Sequence, residues 1–293
     1  MYPDCMRIVR EKVKPERDRL GLKLDASAKG YAKLWWQYAR KGLDLYTAIA
    51  DMKRVLVRAR VSNTNAFTFA PNNMVFSEMI VVFALDDFRF LTLLQSTMHT
   101  VWLIYYSSTI GVGAGIRYTP TDCFEPYPFP SKVEELDDIG ERYYNYRQSI
   151  MHTRREGLTK TYNCFHDPKE KSQEMFNLRG LHREMDEAVA KAYGWDDLNL
   201  EHGFHETKQG LRYTISEAAR REVLDRLLLL NHQRHEEEVK AGLFDGKGSK
   251  GKGKSRGKGV VKEGGGSEKY PVGAGESEVE PMGNGDVEQG ALF

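Results

Sequence analysis

IRYTPTDCFEPYPFP, residues 116–130, places four prolines and four aromatic residues in fifteen positions. Proline has no backbone N–H and clashes inside a helix, so this segment is expected to be irregular and extended rather than helical, and to hold its place by burying rings. It divides the chain by composition. Residues 54–85 before it are rich in β-branched and aromatic residues, whereas after it apolar residues recur at three- and four-residue spacing. The expected fold class is α+β: a mixed α/β unit over residues 1–130, an all-helical unit over 131–241, and a disordered Gly/Lys tail over 242–293. The proline segment reads as a clasp between the first two units.

Upstream of the clasp, residues 4–20 carry apolar Ile8, Val9 and Val13 in a charged background, an amphipathic helix interrupted at Pro15. Tyr31, Trp35, Trp36 and Tyr38 follow among Lys and Arg, and such a cluster is read as core before base-stacking surface. Alternation over 55–61 predicts a strand. In residues 65–85, Pro71, Asn72 and Asn73 stand between FTF and MVF and supply turn chemistry for a hairpin. Residues 86–106 change to helical period, with Asp86 or Asp87 placed to cap.

Downstream, Ser131 and Glu134 form a capping-box pattern ahead of a helix of about 25 residues, with Val133, Leu136, Ile139, Tyr143, Tyr146 and Ile150 on one face. Two further helices are expected over 174–193 and 216–240. Of the 27 glycines, 15 fall after residue 241. That region has too little apolar surface to offset chain entropy, and its Lys247, Lys250, Lys252, Lys254, Arg256, Lys258 and Lys262 attract phosphate without sequence preference.

The formal charge of +1 averages unlike segments and excludes little. Cys5, Cys123 and Cys164 are too few and too scattered for a disulfide framework or a Cys-x-x-Cys metal site, which points to a cytoplasmic protein. No apolar run is long enough to span a bilayer; the most apolar stretch, residues 79–85, is strand-sized. His202 with His205, and His232 with His235, have a spacing that holds a metal on a helix, but neither pair has a third ligand at suitable spacing, and no metal is expected. Cys164 and His166 are similarly weak.

YPDCMRIVREKVKPERDRL, LWWQYARKGLDLYTAIADMKRVLVRARVS, VFSEMIVVFALDD, the proline segment and LHREMDEAVAKAYGWDDLNL, in that order, resemble the C-terminal portion of large adenine-specific DNA methyltransferases and fused methyltransferase-endonucleases, the MmeI-like and type IIG class of restriction-modification systems. The resemblance covers about residues 2–241. It implies that residues 1–130 are a target recognition domain and 131–241 the helical C-terminal region, while the nuclease and methyltransferase domains lie upstream in such proteins. The N-P-P-Y or D-P-P-Y tetrapeptide that grips a flipped adenine is absent from these 293 residues. GVGAG at 111–115 is a poor candidate for an S-adenosylmethionine loop, since it lacks a strand–loop–helix context. The expectation is therefore a truncated or split gene product with no catalytic residue and no cofactor of its own, S-adenosylmethionine belonging to the absent domain. The expected partners are double-stranded DNA and a separate methyltransferase polypeptide.

Recognition of DNA needs cations for phosphates and Arg, Asn or Gln for base edges. Arg54, Arg58, Arg60 and Asn63 supply them. On a strand the three arginines share one face, with Val55, Val57 and Val61 on the other; a solvated strand face is the competing reading, and periodicity does not separate the two. Arg117, beside the glycine loop, is a further DNA candidate, with a domain-packing role as its alternative. Sequence-specific DNA recognition is the preferred function. Two others stay open: that the chain is itself the adenine methyltransferase, and that it is a nucleic-acid-associated scaffold working through its tail.

Overall fold

The computed structural model describes residues 2–22, 26–37, 42–109 and 115–243; the tail from 244 onward, Tyr38 and residues 111–114 lie outside them. Helices α1 (Pro3–Lys12) and α2 (Lys14–Gly21) realise the interrupted N-terminal helix. The break falls at Val13, and Pro15 sits in the first turn of α2, where a missing N–H costs nothing. α2 packs on α3 (Ala26–Lys33), with the Arg17 guanidinium 5.3 Å from the centre of the Tyr31 ring. Trp35 and Trp36 meet edge to face at 5.7 Å, but Trp36 is 48% exposed, so this pair does not form the expected core.

After α4 (Leu43–Ala48) comes β1 (Arg54–Ala59), then the short β2 (Val61–Ser62), β3 (Thr68–Pro71) and β4 (Ile80–Phe83). The hairpin expected across residues 71–73 is not formed. β3 and β4 both pair antiparallel with β1, with Leu56 opposite Phe69 on one side and Phe83 on the other. β1 is buried on both faces: Val55 and Val57 pack with Ile49, while Leu56 joins Phe67 and Phe83 in the main core. A strand so enclosed has no water for its N–H and C=O groups and needs a partner at each edge.

The single helix expected over 86–106 is two, α5 (Phe88–Gln95) and α6 (Thr97–Tyr106), broken at Ser96. The Ser96 side chain accepts from the His99 N–H and caps α6, whereas the side chain of Asp87 makes no cap bond. β5 (Ser108–Thr109) and β6 (Ile116–Arg117) complete a second sheet in the order β2-β6-β5. The proline segment contains one helical turn, α7 (Pro120–Cys123), against the expectation of none; Pro120 sits at its start, where proline fits. Otherwise the segment packs by its rings. Tyr118 joins the main core, Tyr127 a second cluster, and half-buried Phe129 touches both.

The capping box expected at Ser131 is replaced by a 3₁₀ turn (Glu134–Leu136) running into α8 (Asp137–Arg154). Gly140 lets α8 approach α5: a Cβ there would stand 2.6 Å from the Phe88 carbonyl oxygen and collide with Thr92. α9 (Leu158–Phe165), α10 (Gln173–Ala192) and α11 (Glu217–Lys240) follow, the last two close to expectation and each capped by a serine hydroxyl. Between α10 and α11 stands an antiparallel hairpin, β7 (Gly203–Thr207) and β8 (Gly210–Thr214), so the unit after residue 130 is not all-helical. Its turn, Lys208-Gln209 with Gly210 at φ +86°, lacks the Asn-Gly or Asp-Gly signal. Both large apolar clusters draw on residues from each side of 130, and residues 1–244 form one compact unit, so the expected boundary there is not a packing boundary. The α+β class stands.

Candidate nucleic-acid interface

The five residues expected to meet DNA separate into two groups. Arg58 is 2% exposed. Its side chain turns into the main core with Leu56, donating from Nη1 to Asn65 Oδ1 at 2.8 Å and lying 4.3 Å from the centre of the Tyr118 ring. Burial pushes its pKa down to about 10, against the opposing pull of Tyr118 and Cys123, so the guanidinium stays charged. The shared parity of the three arginines therefore does not make one solvated face, because the face carrying position 58 is covered by Phe67 and Tyr118. Arg54 is half-buried and stacks on Phe69 and Phe88 at 3.9 and 4.4 Å, donating to the Asp86 carbonyl. These two arginines hold the sheet to what lies against it.

The other group gathers at the second sheet. Arg60 donates to the Glu78 carbonyl at 2.6 Å, and its own carbonyl accepts from Tyr118 N. Arg117, exposed on β6, stands opposite Val61 and Ser108. Asn63 is exposed just beyond β2, and its carbonyl accepts from Gln209 at the tip of the β7–β8 hairpin at 3.4 Å. Gly115 brings these strands together, since a Cβ there would stand 2.8 Å from the Ser62 carbonyl carbon. That close approach accounts for the glycine at position 115; the rest of the glycine-rich stretch, residues 111–114, lies outside the described residues.

Asn63 and the hairpin tip border a cleft of about 810 Å³. Its floor carries Tyr162, Phe165, His166, His182 and Tyr213, and its rim includes Lys208, Arg212, Arg220 and Arg221 against two acids, Glu206 and Glu217. Arg221 pairs with Glu217, and Arg220 donates to the carbonyls of Ile215 and Glu206. The cleft walls are fixed by buried polar bonds. Arg179 lies under the ring of Phe204 and gives its guanidinium to the carbonyls of Cys164, Phe165, Asp167 and Glu170, closing the end of α9. Thr97 donates from N and Oγ1 to the two oxygens of Asp186, which also meets His202 Nε2 at 2.9 Å. Burial alone would lift the Asp186 pKa, but His182, His202 and Thr97 together hold it below the ordinary carboxylate value.

Behind the cleft, Arg147 is wholly buried in the apolar stripe of α8. It donates to Gln95 Oε1, the Tyr162 hydroxyl and the Phe67 carbonyl at 3.2, 2.9 and 2.6 Å. Gln95 Nε2 donates in turn to the carbonyl of Asn65, the residue that holds Arg58. Burial works against the Arg147 charge, but Tyr162 and Tyr143 outweigh it and its pKa stands above the ordinary arginine value. Neither Arg58 nor Arg147 faces a carboxylate among the described residues. Position 147 was legible only as a place on a helical stripe, and nothing in its neighbourhood in sequence marks it as interior. Of the histidines considered for metal, His202 bonds Asp186 and His205 the Glu201 carbonyl.

No protein-family model matches the chain, and no curated protein matches it. A solved structure does, with a TM-score of 0.53 and 15% identity over 77% of this chain: the type IIL restriction-modification enzyme MmeI in complex with DNA. The likeness is one of fold. This chain spans about a quarter of that enzyme, 26% of its length. At the described residues, no helix is long and apolar enough to cross a membrane.

Proposed function

We propose that this chain is the DNA-recognition module of a site-specific adenine-N6 DNA methyltransferase of the restriction-modification type, reading duplex DNA for a methyltransferase carried on another polypeptide. The observation that carries the reading is the shared fold with part of an enzyme solved on DNA. One feature of the sequence supports it: the 293 residues hold no N-P-P-Y or D-P-P-Y tetrapeptide. In this reading residues 1–130 supply the target recognition surface and 131–241 support it. Arg60, Asn63 and Arg117, gathered at the second sheet, make the contacts, with exposed Arg117 and Asn63 the best placed for base edges or phosphates. Arg54 and Arg58 leave the contact set and become its supports.

The experiment is a binding titration of the purified chain against duplex libraries over a range of salt, alongside a methyl-transfer assay. The expected result is duplex binding that weakens with salt, a sequence preference, and no transfer of methyl from S-adenosylmethionine. Methyl transfer by this polypeptide alone would make it the enzyme itself. Equal affinity for all polyanions, lost with residues 244–293, would make it a scaffold acting through its tail.

A further inference from the structure

We infer that the 810 Å³ cleft between the residue 63–65 loop, α6, the β7–β8 hairpin and α11 is a nucleotide site, taking a single nucleotide whose base carries an amino group. This site adjoins the duplex surface proposed above at Asn63 but does not rest on that reading. Three kinds of group converge there. Tyr213, Phe165 and Tyr162 give a wall of rings; Tyr213 meets Phe165 and Phe204 edge to face at 5.4 Å each and is only half-buried, so part of its ring is open to a flat heterocycle.

The second group is a pair of histidines, each with an unpartnered ring nitrogen. His182 and His166 line the cleft, and Nδ1 of each lacks a partner. Thr97 Oγ1 spends its proton on Asp186, so at 3.2 Å it must accept from His182 Nε2; the ring proton is therefore on Nε2, and Nδ1 is a lone pair. His166 Nδ1 is the second ring nitrogen at the cleft without a partner. Burial keeps both rings neutral. A buried acceptor without a donor, as at His182 Nδ1, costs free energy until an N–H group arrives, and an exocyclic amine supplies one. Adenine and cytosine offer one; thymine does not.

The third group sets the charge. Lys208 and Arg212 pair with no carboxylate among the described residues, in contrast to Arg221 beside Glu217. Both lie at the hairpin side of the cleft, where a phosphate joined to a stacked base would reach. The volume falls within the range of small-ligand sites and is ample for one nucleotide.

The test is calorimetric titration of the full chain with dAMP, dCMP, dTMP, deoxyadenosine and inorganic phosphate, with histidine ¹⁵N spectra read in parallel. dAMP and dCMP are expected to bind and to move two Nδ1 resonances, and dTMP to bind roughly tenfold more weakly. The Lys208→Ala, Arg212→Ala double variant, Lys208 being exposed and Arg212 half-buried, should weaken dAMP by about tenfold and leave deoxyadenosine unchanged. No binding of dAMP to the folded chain, or inorganic phosphate binding as well as dAMP, would overturn the inference. Competition by single-stranded oligodeoxyadenylate assigns the nucleotide to a DNA strand, and its absence assigns it to the free pool; either keeps the site. Loss of duplex binding with dAMP binding intact would sink the proposed duplex reading and leave this one standing.

Discussion

β1 and β6 carry arginines of the same appearance in sequence, yet Arg58 is buried and Arg117 is exposed. The strands differ in what covers them. β1 is the middle strand of its sheet, with Phe67 and Tyr118 over the face that holds position 58, so its guanidinium is desolvated and supported by Asn65 and an aromatic ring. β6 is the middle of a two-residue sheet whose strands are too short to be enclosed. Alternation along a strand tells which residues share a face, and only the neighbours in space tell whether that face meets water. The lesson is that Arg58 and Arg147 are interior cations bridged by Asn65 and Gln95, and that the contact-forming charges lie elsewhere.

Acid offers the largest test of that interior. His99, which bonds the Leu94 carbonyl and Tyr118, is pushed down to about 3 by burial and by the Arg58 charge, and His166 to about 3 by burial and Arg212. In the unfolded chain both take up protons near pH 6.5, in the fold only near 3. Stability is therefore full above pH 6.5 and falls as pH drops through the window between them, by about 1.4 kcal/mol per pH unit for each ring. Against a total of roughly 5–15 kcal/mol, unfolding is expected well before pH 3. A denaturant midpoint that stays constant from pH 7 to 4 would contradict this account of the interior.

Arg147→Ala should cost about 3–5 kcal/mol, since it opens a cavity and strips Tyr162, Gln95 and the Phe67 carbonyl of a donor. Arg58→Ala should cost about 2–3 kcal/mol by leaving Asn65 Oδ1 unpaired, and at temperatures where the variant is folded its duplex affinity should match the parent. Chemical denaturation reads both, and a loss under about half a kcal/mol at either position would return that arginine to the surface. Arg117→Ala is the converse case: stability within about 0.5 kcal/mol, but a loss of roughly 1–3 kcal/mol of sequence discrimination if the contact is to a base, or a uniform weakening if to phosphate. Unchanged binding to every duplex would remove β6 from the interface.

Helices α10 and α11 were legible because their apolar residues recur at helical spacing; the structure adds the Ser172 and Ser216 caps. The ring-packed proline segment was legible for a similar local reason: proline and aromatic side chains leave a chain few alternatives. The β7–β8 hairpin was not, since Lys208-Gln209 carries no turn signal and its strands, GFHET and GLRYT, show no apolar alternation. The cleft it closes was equally invisible, because Asn63, His166, His182 and Arg212 are scattered over about 150 positions and no spacing rule joins them.

Local sequence therefore determined this protein's elements where side-chain period and capping act within a few residues, and with them the α+β class. The tertiary structure alone decided which strand lies in the middle, which arginines are buried, and which polar side chains converge on one cleft. These depend on what approaches from distant parts of the chain, and desolvation, the force that turns Arg58 from a contact into a support, is set by that approach.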